Sequence, residues 1–224
     1  MRRLLALGIS AATFAFWQGF APCAAQVKLA PVPQEVREEA QRSLPGVRQM
    51  VTPETYKRLG FESIEEASSA ELGSPMRIFM VGLDRLKEFA PSRSPSELLV
   101  DTNEVRYPVT VGGNVRTSMV MHLIEGKWQL ARVGRPALTK GLVEAALKQA
   151  APPGAAQEPS FEVQIPALNL YFTGQQAGPR LLLTPVLDDE RFGFKQGETL
   201  DAQQVFAKIA PYAKQVQTGP YLSD

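Results

Sequence analysis

Apolar and polar positions alternate most clearly in the middle of the chain. Glu104 to Val111, Val115 to Ile124 and Lys127 to Val133 each change character at every second residue, the period of a half-buried strand. Gly112-Gly113-Asn114 and Glu125-Gly126 separate them, so the stretch predicts an antiparallel meander of two hairpins. The period then lengthens. Leu138, Leu142, Ala145, Ala146 and Gln149 recur at helical spacing, which predicts a helix over Pro136 to Ala150 that returns to cover the apolar face of the meander.

Upstream, Val36, Ala40 and Leu44 mark a helix over Gln34 to Ser43, which Pro45-Gly46 should end. Thr52-Pro53-Glu54 predicts the start of a short helix. Ser63 with Glu66 forms a capping box for another over Ile64 to Leu72. Met76 to Val81 predicts a strand and Leu83 to Phe89 a short helix. Downstream, Ala151 to Ser160 is rich in Pro and Ala and has no pattern. Phe161 to Ile165, Ala167 to Thr173 and Arg180 to Leu187 then predict strands, and Asp201 caps a final helix in which Pro211 should act as a kink or stop. The expected class is α+β: N-terminal helices and an antiparallel β-meander covered by a helix over 26–150, a linker over 151–160, and a smaller ββ(β)α lobe over 161–224 docked on the first.

The first 25 residues read as a secretory signal peptide. Arg2 and Arg3 precede an apolar run from Leu4 to Phe20, and small residues follow, with cleavage expected after Ala25. The product is expected to be soluble and exported, periplasmic or secreted, with no membrane span after cleavage. Cys23, the only cysteine, falls inside that segment, so the mature chain would have no disulfide, thiol nucleophile or thiolate metal site. Near-neutral net charge and the lack of a basic run argue against a nucleic-acid partner.

Strand register sharpens the candidate chemistry. A two-residue Glu125-Gly126 loop sets His122 opposite Gln129, and a three-residue Gly112–Asn114 loop sets it beside Glu104. Tyr107, Met119, Met121, Leu123, Trp128 and Leu130 then share one face, and Glu104, His122 and Gln129 share the other as a candidate binding cluster. Pro108 should put its strand at a sheet edge.

His122, the only histidine, would need a nucleophile to serve as a general base. Ser118 on the same face lies about 13 Å away along the strand, and no nucleophile elbow occurs. One histidine without cysteines leaves only carboxylates as further zinc ligands, which argues against a zinc site, and Asp188-Asp189-Glu190 lacks the spacing of a calcium loop. Gly112, Gly113 and Gly174 read as turn glycines, not phosphate loops, so no cofactor is expected. The expectation is a non-enzymatic protein that binds an envelope or extracellular protein. One alternative is a carrier of a small apolar ligand among Met50, Met76, Met80, Met119, Met121, Phe79 and Tyr107. Another is a hydrolase using His122 or a carboxylate pair drawn from Glu35, Glu38 and Glu39 or from Glu62, Glu65 and Glu66.

Overall fold

The computed structural model describes residues 31–149 and 159–216; the expected signal peptide and most of the expected linker lie outside them. Four helices pack on one open, mixed, mostly antiparallel sheet of nine strands, an α+β fold. The helices are α1 (Gln34–Gln49), α2 (Leu83–Lys87), α3 (Pro136–Lys148) and α4 (Ala202–Gln215). The strands are β1 (Glu71–Leu72), β2 (Met76–Val81), β3 (Leu99–Val111), β4 (Asn114–Ile124), β5 (Lys127–Gly134), β6 (Phe161–Ile165), β7 (Leu170–Ala177), β8 (Arg180–Pro185) and β9 (Leu200–Asp201). Their order is β5-β4-β3-β2-β6-β7-β8-β9, with β1 on β3 beside β2. The strands of the smaller lobe thus continue the same sheet: β6 runs parallel to β2, and every other pairing is antiparallel.

Cross-strand partners share a face, so two layers follow from the register. On the first face Val105, Tyr107, Val109, Met119 and Met121 pack under Val36, Ala40, Leu44 and Val47 of α1. Farther along the same face, Phe79, Val163 and Phe172 pack with Leu86 of α2 and with Val205, Phe206 and Ile209 of α4. Helix α3 lies on the opposite face, where Leu142 meets Met76 and Val186. This corrects the expected cover. The meander's apolar face is sealed by α1, whose stripe extends past Pro45 because Leu44 and Val47 are both buried. Burying those side chains outweighs the one backbone donor lost at the exposed proline. Pro211 is likewise accommodated within α4, which continues to Gln215 with Ala213 buried.

Pro108 does not mark an edge. Strand β3 is internal, between β4 and the pair β1/β2. The Pro108 nitrogen faces the interruption between β1 and β2, where its carbonyl accepts from the Gly73 amide at 2.8 Å. No ladder donor is needed there. The Ser63 box also forms differently. The Glu66 amide donates to Ser63 Oγ at 3.4 Å, but the element is a 3-10 turn over Glu65–Ser69. Ala70 is extended, its carbonyl is taken by Arg48 Nη2, and Glu71–Leu72 joins the sheet as β1. Residues 53–60 form successive turns in place of the short helix expected after Thr52.

Candidate binding surface

The hairpin register fixes the surface around His122. Glu125 and Gly126 both have positive φ, 49° and 76°, and close a two-residue turn with Ile124 opposite Lys127. The first hairpin reaches the expected central register by another route. Gly112 and Gly113 alone form its turn, with Val111 opposite Asn114, and a bulge at Arg116 supplies the extra residue that the expected three-residue loop would have held. Tyr107 therefore faces Met119, and Glu104 faces His122.

Glu104, His122 and Gln129 lie side by side on β3, β4 and β5, on the face opposite Tyr107 and Met119. Both Glu104 and His122 are half-buried and Gln129 is exposed. The Glu104 carboxylate accepts from Arg132 Nη2 at 2.7 Å. Ser118 is committed elsewhere, since its hydroxyl accepts from Arg106 Nη1 at 2.8 Å and donates to the Gly134 carbonyl at 2.9 Å. Glu62 and Glu66 both bind Arg116, and Glu39 binds Arg42. Among the described residues no group of three or more histidine, cysteine or acidic side chains could hold a metal ion. Nor is any described helix long and apolar enough to cross a membrane.

The methionines and aromatics proposed for an apolar pocket are not brought together. Met119, Met121 and Tyr107 are buried under α1, Met76 under α3, and Phe79 against Phe161 at 5.3 Å in the α2/α4 cluster. Met50 and Met80 are exposed.

Beside the His122 row the sheet ends at β5. Among the described residues no strand pairs with its outer edge. In an antiparallel pair, residues alternate between bonding their partner and pointing their backbone away. Ile124 and Lys127 close the turn as a bonded pair, so His122 and Gln129 bond next, and the N–H and C=O groups of Trp128 and Leu130 point outward. A bulge at Ala131 then shifts the register, ending this stretch before Arg132. Along the α1 side of the edge runs an open groove of about 510 Å³, lined by Met50, Thr55, Arg58, Leu59, Leu130 and Val133.

A second polar constellation, which alternation in the sequence did not single out, lies buried beneath α3. Arg106 on β3 reaches past β2 to Glu162 on β6, donating from Nε at 2.7 Å and from Nη2 at 3.2 Å. Both side chains are sealed from solvent. Gln164 Nε2 also donates to Glu162 at 2.7 Å, so the carboxylate accepts three hydrogen bonds. Near the end of α3, Gln149 Nε2 donates to the Thr173 carbonyl at 2.9 Å and to Thr184 Oγ1 at 2.7 Å. These are framework contacts: each of the three Arg106 nitrogens donates to an acceptor inside the fold. Gly174, expected in a turn, sits within β7, where the Phe161 ring fills the space of a side chain.

Comparison of the chain with protein families, with curated proteins and with solved structures finds no match.

Proposed function

We propose that this is an exported, non-catalytic protein that binds another protein of the cell envelope or extracellular space, by pairing an extended segment of that partner with β5. The observation that carries the reading is the outward backbone of Trp128 and Leu130 at an edge that no described strand covers. Strand addition draws its affinity from such main-chain groups and its selectivity from the pockets that alternate side chains meet. The groove beside Leu130 offers one such pocket. The non-catalytic part is supported by the commitments of four of the groups considered for hydrolysis. Ser118, Glu104, Glu62 and Glu66 are each engaged by an arginine.

A pair of variants tests the edge. In Leu130→Pro the outward amide is lost without touching a bond to β4, whereas Leu130→Ala keeps the amide and loses similar packing. Proteins captured from an exported fraction by the parent and by Leu130→Ala should be lost by Leu130→Pro. Equal capture by both variants removes β5 as the binding edge.

A further inference from the structure

We infer that the segment taken up by β5 alternates apolar and acidic side chains, the apolar ones toward the α1 side of the sheet and the acidic ones toward the His122 side. This rests on the reading of β5 as a strand-binding edge. An added strand continues the pleat, so its side chains fall alternately on the two faces. On the α1 side they meet Trp128, Leu130 and the groove in which Met50 is 46% exposed. On the other side they meet Lys127, Gln129 and Arg132, all exposed. Arg58, also exposed, stands at the rim of the groove. Glu125 is exposed in the turn before Lys127, outside the outward stretch; the acidic group within the cross-strand row is Glu104. Its side chain is only 12% exposed, and it is already bound by Arg132, whose own side chain is 55% exposed. Lys127 and Arg132 therefore present positive charge at both ends of the outward stretch.

The same charges disfavour a second copy of this chain as the occupant. Antiparallel pairing of two β5 edges about Gln129 brings Lys127 of one copy up to the Ala131–Arg132 end of the other, basic against basic. Like charges set opposite each other destabilise a sheet, and opposite charges stabilise it. An acidic strand satisfies both ends.

Calorimetric titration of the protein with three synthetic ten-residue strands, alternating Val–Glu, Val–Lys and Val–Ser, tests this at low salt. The Val–Glu strand should bind at least about tenfold more tightly than the Val–Lys strand, and added salt should erode the difference. The exposed substitution Lys127→Glu should shrink or reverse the preference. If the three strands bind equally, and Lys127→Glu changes nothing, the edge stands and the acidic preference is overturned. If none of the three binds, the strand-binding reading itself fails and this inference fails with it.

Discussion

Glu104 and His122 stand directly opposite each other on neighbouring strands, yet the Glu104 carboxylate is held by Arg132, across the sheet on β5. The pairing makes the face a place where charge is balanced between strands, and leaves His122 as one member of a surface row. His122→Gln should therefore change stability by no more than about 0.5 kcal/mol, as substitutions away from special features do. Glu104→Gln should cost about 0–1 kcal/mol, since Arg132 is largely solvated. Urea denaturation of both variants checks the pair.

Arg106 and Glu162 lie at the opposite extreme of burial. Arg106→Met alone should destabilise by about 3–5 kcal/mol, because it strands a sealed carboxylate. The double variant Arg106→Met/Glu162→Leu should recover most of that loss. Ser118→Ala should cost about 1–3 kcal/mol by leaving Arg106 Nη1 without its acceptor. A double-mutant cycle from denaturant midpoints measures each contribution.

Tyr107 makes the stability fall at high pH. Its hydroxyl is buried with Arg37 beside it but without a hydrogen bond of normal geometry, and burial pushes its pKa up to about 12, with the charge and hydrogen bonding of Arg37 opposing only in part. The unfolded chain releases that proton near pH 10. A folded pKa above the unfolded value contributes stability that is fully present below about pH 10 and is lost as the pH climbs through about 12. Tyr107→Phe should flatten the alkaline branch of a stability–pH curve and should cost little at pH 7, where it removes a buried polar atom that makes no hydrogen bond of normal geometry.

Gly60 is held by its surroundings. It has φ of 85°, and a Cβ there would stand 2.1 Å from the Arg116 carbonyl oxygen. Gly60→Ala should destabilise by more than about 1 kcal/mol. Gly112 also has positive φ, 56°, but it has open space around it and holds the first position of a two-residue turn, where asparagine adopts that backbone readily, so Gly112→Asn should be close to neutral. Thermal melts of the two variants separate steric crowding from backbone conformation alone.

The meander was the most legible part of the sequence. Alternation placed Tyr107, Met119 and Met121 on one face and His122 with Glu104 and Gln129 on the other, and the register carries both sets. What covered each face was not legible. Periodicity tells which side a residue occupies and says nothing of which element seals that side. Glu162 and Gln164 alternate with Phe161, Val163 and Ile165 and look like solvent-facing positions; α3 roofs that face, and Arg106 supplies the charge that makes their burial tolerable. Pro108 misled for a related reason. A proline reports a missing donor on one side of a strand, and an interrupted neighbour satisfies that condition as well as a free edge does.

Amide hydrogen exchange along β5, with and without the Val–Glu strand, bears most directly on the binding edge. We predict that the Trp128 and Leu130 amides slow on addition of the strand, while those of Lys127 and Gln129, already turned toward β4, change little. Unchanged exchange at Trp128 and Leu130 under saturating strand, or slowing confined to another part of the sheet, would contradict it.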